Sequence, residues 1–349
     1  MSRKIRVLVV DDSAFARNAI SRTITTDPDI EVIGEAGDGI EAIEKVRDMR
    51  PDVVTMDVIM PRMDGLTALQ HILESYPTAV VMVSALTGKQ TDATIKALEL
   101  GAVDFFLKAS RVNPAGHDQA TDDLPAKIKQ AAQVPRIRLG LRKGPPGPRR
   151  KPVTASTAHA GTLNKVITIG SSTGGPRALH EFLPGLPGNI GAGMLIVQHM
   201  PPGFTQSLAE RLDKVCNIRV REAVDGDSVQ AGVALIAPGG YHMTVSDKGK
   251  ISFNQDPPVC GVRPSVDVLM ESAAKAYRNS TVGVVLTGMG SDGTHGARLI
   301  KAAGGKVMVE DESTCAIYGM PKSIVDAGYA DMTTPLPEIA EELVRICET

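Results

Sequence analysis

Two sets of residues in this 349-residue chain have types and spacing that could do chemistry. The first is acidic. Asp11-Asp12 follows the apolar run Val7–Val10, and Asp57 follows Val53–Met56. Ser84 and Lys108 follow Val80–Val83 and Val103–Leu107. If these runs are strands of an open parallel sheet, their carboxyl ends meet at one crevice. Three carboxylates, a hydroxyl and an ammonium would then face each other. A divalent cation relieves repulsion among such acids, and an all-oxygen donor set suits Mg²⁺. The lysine could neutralise phosphate oxygens. Capping accounts for part of the pattern, since Asp12 or Ser13 can cap a following helix. It does not account for the hydroxyl and the lysine at the other strand ends.

The second set begins at Gly170-Ser171-Ser172-Thr173-Gly174-Gly175-Pro176, directly after the apolar run Val166–Ile169. Glycines permit a tight turn, and Pro176 suits a first helical turn. Free N–H groups at a helix start can hold a phosphate, or they can stabilise an oxyanion beside a serine nucleophile. The nucleophile reading needs a base and an acid to orient it. His199 lies beyond the run Met194–Val197, and Asp292 lies beyond Val282–Leu286. His295 and His242 are weaker base candidates. The order Ser, His, Asp differs from the common hydrolase orders, but a triad is defined by geometry. A competing pattern overlaps the acid. Gly288-Met289-Gly290-Ser291-Asp292-Gly293 has the dinucleotide-binding form G-x-G-x-x-G, with Glu310-Asp311 about 17 residues further on. Too little chain remains downstream for the usual further strands of a dinucleotide fold, and that reading leaves His199 unused.

The elements that must position these groups alternate along the chain. Between the first strand runs, with Val32–Ile33 added, lie helical patterns at Ala14–Ile24, Ile40–Met49, Leu66–Leu73 and Ala93–Leu100. The expectation is a doubly wound, five-stranded parallel α/β domain over residues 1–122. A helix near Leu124–Ala132 follows. The segment from Arg136 to Lys151 is basic and rich in Pro and Gly, so residues 123–160 are expected to be a helix end and a flexible linker. Alternation resumes at Val166, with further strands at Val233–Ala237 and Val307–Val309 and a hairpin over His242–Phe253. Residues 161–349 are therefore expected to form a larger, mainly parallel α/β domain with a β-hairpin.

Composition narrows the function classes. Lys+Arg number 38 against 40 Asp+Glu, a near-balance that argues against a nucleic-acid binder. No apolar run is long enough to span a membrane, and the N-terminus has no secretory leader pattern, so a cytoplasmic location is expected. The four cysteines are scattered, which favours free buried thiols over a metal cluster. A DNA-binding protein is the rival class, but a helix-turn-helix and a basic recognition surface are not evident.

Two resemblances sharpen this reading. VLVVDDS, TMDVIMPRMDG, MVSA and DFFLK resemble the receiver domain of two-component response regulators. That implies Asp57 as phosphoacceptor, Mg²⁺ held by Asp11, Asp12 and Asp57, and phosphoryl contacts from Ser84 and Lys108. Phe105 stands where that family has a movable aromatic, expected to turn inward on phosphorylation. Ala109 replaces the usual proline after the lysine. IGSSTGGP, VQHMPPGFT, APGGYHM, RPSVDVL, LTGMGSDG and YGMP resemble the catalytic domain of chemotaxis protein-glutamate methylesterases. That implies Ser172 rather than Ser171 as nucleophile, with His199 as base and Asp292 as acid. Thr173 and Met289 would supply oxyanion amides, and the esterase step would need no cofactor. The implied partners are methylated helices of chemoreceptors and a chemotaxis histidine kinase as phosphodonor. The implied activities are demethylation and glutamine deamidation.

Overall fold

The computed structural model describes residues 3–85, 88–108, 123–139 and 163–348. They form two compact units, each built on one open sheet. In the first unit, β1 (Ile5–Val10), β2 (Ile30–Ala36), β3 (Val53–Asp57), β4 (Ala79–Ser84) and β5 (Asp104–Leu107) pair in parallel in the order β2-β1-β3-β4-β5. Val7–Val10 and Ala79–Ser84 are buried throughout, as expected of strands covered on both faces. Short polar side chains start the helices. Ser13 caps α1 (Ala14–Ile24), Asp38 caps α2 (Gly39–Met49), and Asp64 caps α3 (Gly65–Ser75). Capping at α1 thus falls to Ser13, which leaves Asp12 available. α4 (Gly88–Leu100) completes the set expected from helical spacing.

The end of this unit departs from expectation. α5 (Leu124–Gln133), read as leading into the linker, buries Leu124, Ile128 and Ala131 and packs on β4 and β5. Arg136–Leu139, read as the start of the extended segment, is a further helical turn, α6, with Leu139 buried. Arg136 Nη2 donates to the Pro51 carbonyl at 3.2 Å. Basic residues and glycines mask the single apolar side chain that makes this turn dock. Ala109 and the rest of the expected linker, 140–160, lie outside the described residues.

The second unit has seven parallel strands in the order β14-β13-β12-β6-β7-β9-β8. They are β6 (Lys165–Ser171), β7 (Ala192–Gln198), β8 (Arg219–Glu222), β9 (Val233–Ile236), β12 (Thr281–Val285), β13 (Lys306–Glu310) and β14 (Met332–Thr334). β10 (His242–Val245) and β11 (Ile251–Asn254) form the expected hairpin. Among the described residues, six α-helices join the strands, α7 (Gly175–Phe182), α8 (Phe204–Asp213), α9 (Val266–Tyr277), α10 (Thr294–Ala302), α11 (Met320–Asp326) and α12 (Leu336–Glu348), with short 3₁₀ turns at Leu183–Gly185 and Arg278–Ser280. β8 and β14 were not evident in the sequence. They are short edge strands, and β8 alternates charge with a single buried valine, so neither carries a full apolar run.

In each sheet the chain order reverses beside the first strand. Those reversals lie between β1 and β3 and between β6 and β12, where open sheets leave a crevice at the strand carboxyl ends. Close packing supports the first of these. A Cβ on Gly65, at the start of α3, would lie 2.0 Å from the Asp57 carbonyl oxygen. Gly65→Ala is therefore expected to destabilise the first unit by about 1–3 kcal/mol. Calorimetric melting of the full chain checks this; an unshifted profile would show that α3 moves away at no cost.

Candidate active sites

The first crevice brings together the residues expected there. Asp11 and Asp57 are buried, and Asp12 is exposed beside them. Lys108 Nζ lies 2.6 Å from Asp11 Oδ2 and 2.8 Å from Asp57 Oδ2. Burial disfavours the Lys108 ammonium, but the two carboxylates outweigh it and push its pKa up. The Val58 amide donates to Asp57 Oδ1 at 2.7 Å, which fixes the carboxylate on its strand end. Ser84 is fully buried, and its hydroxyl accepts from Thr94 Oγ1 at 2.9 Å. Asp11, Asp12 and Asp57 each bring a carboxylate oxygen within 4.8 Å of the others. Three hard oxygens so close fit Mg²⁺. Phe105 departs from expectation. It is already buried, with Lys127 Nζ over its ring at 5.6 Å, so an inward turn has no outward state to start from in this structure.

The second crevice is built by strand register. Ser171 of β6 pairs with Gln198 of β7, and the His199 amide donates to the Ser171 carbonyl at 3.1 Å. Ser172 and His199 are thus the next residues beyond two adjacent strands. The two serines have opposite environments. Ser171 is fully buried and donates to Gln198 Oε1 at 2.7 Å, whereas Ser172 is only half-buried. Gln198 Nε2 in turn donates to the Ser172 carbonyl at 2.9 Å. The Ser172 amide donates to the Thr287 carbonyl at 3.1 Å, joining this turn to the one after β12. Two glycines are sterically required. Gly174 sits at φ 80° before α7, and a Cβ on Gly288 would lie 2.8 Å from Ser172 Cβ.

Asp292 is almost fully buried, and its Oδ2 lies 2.8 Å from His199 Nε2. It also sits at the start of α9. The Val266 amide donates to Oδ2 at 2.7 Å, and the Asp267 amide and Ser265 hydroxyl donate to Oδ1 at 3.0 and 2.8 Å. Burial alone would raise its pKa, but the His199 bond and these amides outweigh it and hold the carboxyl below the usual aspartate range. An ionised Asp292 makes Nε2 a donor and leaves Nδ1 with a lone pair. Asp267 mirrors this arrangement on α10, accepting from the amides of Gly293 and Gly296 at 2.9 and 2.7 Å. The sequence reading did not single out Gln198, Ser265 or Asp267. RPSVDVL carried the last two, and its Ser-x-Asp at a helix start was the available signal.

The other candidates are placed elsewhere. His242 is buried in β10, with Nε2 at 3.2 Å from the Pro257 carbonyl, and burial pushes its pKa down. His295 is exposed on α10. Glu310, one of the two strand-end acids that the dinucleotide reading offers for a ribose, is fully buried, with Oε2 accepting from the Thr287 amide at 2.8 Å. Cys260 is exposed and Cys216 half-buried, so only Cys315 and Cys347 match the expected buried thiols.

A family model described as CheB methylesterase matches residues 167–343, and one described as response regulator receiver domain matches residues 7–114. A protein from Symbiobacterium thermophilum named protein-glutamate methylesterase/protein-glutamine glutaminase is 48% identical, covering 99% of this chain and 98% of that one. The chain belongs to the CheB methylesterase family. A protein of the same name from Pyrococcus abyssi is 49% identical over 99% of this chain and 94% of its own length. The crystal structure of the Thermotoga maritima CheB methylesterase catalytic domain is 47% identical, with a TM-score of 0.51, covering 52% of this chain and 98% of that one. This chain is thus a receiver domain followed by a CheB esterase domain, and its second sheet is not a DNA-binding output.

The environments of the two serines set an expectation. Ser171→Ala leaves Gln198 Oε1 short of a donor, and a buried unpaired acceptor costs about 1–3 kcal/mol. Thermal melting should show that loss while ester hydrolysis survives. A stable but inactive Ser171→Ala protein would move the nucleophile to Ser171.

Proposed function

We propose that this protein hydrolyses glutamate methyl esters on the cytoplasmic helices of chemoreceptors, releasing methanol, and deamidates selected receptor glutamines, in the adaptation arm of chemotaxis. The observation that carries the reading is the 2.8 Å contact of His199 Nε2 with the buried Asp292, beside the strand-end Ser172. Ser172 Oγ attacks the ester carbonyl, and His199 Nδ1 takes its proton. Asp292 holds the tautomer and stabilises the imidazolium. The Met289 amide has no acceptor among the described residues, and with the Thr173 amide it would hold the oxyanion. The tetrahedral adduct collapses, the carbon–oxygen bond to methoxide breaks, and His199 returns its proton to give methanol. Water, deprotonated by His199, then attacks the acyl-serine, which frees the glutamate carboxylate and restores Ser172. With a glutamine substrate ammonia leaves by the same steps. None of these steps needs a cofactor.

Asp57 is proposed as the phosphoacceptor, with a chemotaxis histidine kinase as donor. Asp11, Asp12 and Asp57 would hold Mg²⁺, which when bound offsets the charge of the transferring phosphoryl group. Ser84 and Lys108 would contact the phosphoryl oxygens. A cytoplasmic location follows from the proposed substrates, which are cytoplasmic helices; none of the described helices is long and apolar enough to cross a membrane.

Methanol release from methylated receptor membranes is the direct test. Ser172→Ala should lower it by a factor on the order of 10⁶. Retention of more than a few per cent of activity would rule out Ser172 as nucleophile. Asp57→Asn should keep the basal rate but lose all stimulation by a phosphodonor; stimulation that persists in this variant would place phosphoryl control elsewhere.

A further inference from the structure

Glu310 ends β13, is fully buried, and has no part in the chemistry above. Its Oε2 accepts from the Thr287 amide at 2.8 Å, while its Oε1 has no hydrogen-bond partner among the described residues. Thr287 is the joint between the two halves of the esterase site. Its carbonyl accepts from the Ser172 amide at 3.1 Å. Its hydroxyl lies 3.0 Å from the Thr173 carbonyl and 3.2 Å from the Ile317 carbonyl, and accepts from the Ile317 amide at 2.9 Å. The next residue, Gly288, packs against Ser172, and the Met289 amide follows. One carboxyl group therefore anchors the residue that ties the nucleophile turn to the oxyanion turn.

We propose that Glu310 is a positioning residue for hydrolysis, acting through Thr287 to align Ser172 Oγ with the Met289 amide. The proposal rests on the esterase reading of Ser172. A carboxylate is a costly choice for a mere spacer in this place, because burial raises its pKa from 4.5 to about 7, with the Thr287 amide opposing. The groups facing it do little to offset that cost. Glu181 on α7 adds to the rise, and Cys315 and Thr314, after β13, lower it. Neutral or ionised, the group keeps an oxygen for the Thr287 amide, so its anchoring role survives its titration. Positioning of this kind acts on turnover more than on substrate binding, because misaligned donors fail only when charge develops.

The test compares Glu310→Ala, Glu310→Gln and Ser172→Ala in the full-length protein, with methylated receptor membranes as substrate. Glu310→Ala should lower kcat by about 10- to 100-fold, part of the cost of losing one oxyanion donor, with KM changed less than about threefold. Glu310→Gln keeps an acceptor oxygen for the Thr287 amide and should restore kcat to within about threefold of wild type. A second readout follows from linkage. Between 4.5 and about 7 the native glutamate holds a proton that the unfolded chain has released, so wild-type stability falls as pH rises through that window. Glu310→Gln has no such proton, so its melting temperature should gain on wild type between pH 5 and pH 8. Should Glu310→Ala not melt cooperatively, Glu310→Asp withdraws the oxygen by one methylene and should show the same loss of kcat. A full rate in the alanine or aspartate variant, or a glutamine variant as slow as alanine, overturns the role of Glu310. Hydrolysis surviving in Ser172→Ala overturns the esterase reading itself.

Discussion

The esterase unit depends on a buried carboxylate exchange between two helices. Asp292, just ahead of α10, places its carboxylate on the first amides of α9, and Asp267, in the first turn of α9, places its own on the first amides of α10. Each helix start would otherwise leave amides without acceptors in the protein interior, and each acid would otherwise be a desolvated charge. The exchange gives each helix start its acceptors; the donors outweigh burial at Asp292, whereas at Asp267 burial and the Asp292 charge still hold the pKa above the usual aspartate value. Charge at a helix N-terminus is also favoured by the aligned peptide dipoles. The exchange locks Asp292 in one orientation before His199 reaches it. The imidazole then meets an acceptor fixed by three other donors, which sets its tautomer and the direction of its free nitrogen.

The receiver crevice treats its acids in the opposite way. Asp11 and Asp57 share one ammonium and take one backbone amide each, from Ser13 and Val58, and Asp12 is left exposed. Such a cluster is incompletely compensated, which is what the proposed binding of a cation and then a phosphoryl group calls for. Asp292 is saturated with donors and, in the proposed mechanism, serves only to hold His199. The same residue type at the same topological position, beyond a strand end at the point of chain reversal, thus does two jobs. Donor count separates them: four hydrogen-bonding groups converge on Asp292, whereas Asp57 has the Val58 amide and the Lys108 ammonium.

Much of this was legible in the sequence because parallel strands are continuous apolar runs and functional groups lie just past their ends. That rule placed Ser172, His199 and Asp292 past strand ends at one crevice and Asp57, Ser84 and Lys108 at the other, which is where the structure has them. The supporting groups were not. Ser265 and Asp267 begin a helix with ordinary capping chemistry, and nothing local shows that their partner is Asp292, some 25 residues on. Gln198 reads as the last polar residue of a strand until register sets it across from Ser171. The short edge strands β8 and β14 lack a periodic signal, and α6 docks through one leucine hidden among basic residues. Long-range partners and marginal elements are decided by packing, which no window of sequence contains.

The G-x-G-x-x-G after β12 shows how one backbone requirement serves unrelated chemistry. In a dinucleotide site its glycines let a pyrophosphate approach the chain. Here the first glycine lets the Ser172 turn approach: a side chain on Gly288 would meet Ser172 Cβ at 2.8 Å and Met320 Sδ at 2.4 Å. The last, Gly293, stands at φ 100° and hands the chain into α10 while its amide binds Asp267. One of the two acids that such a motif could direct to a ribose is turned instead onto the Thr287 amide, beneath the serine turn. Glycine at these positions reports that something must come close to the backbone. Whether that is a phosphate or another turn of the same chain is decided by what the neighbouring strands carry at their ends, and here β6 and β7 carry Ser172 and His199.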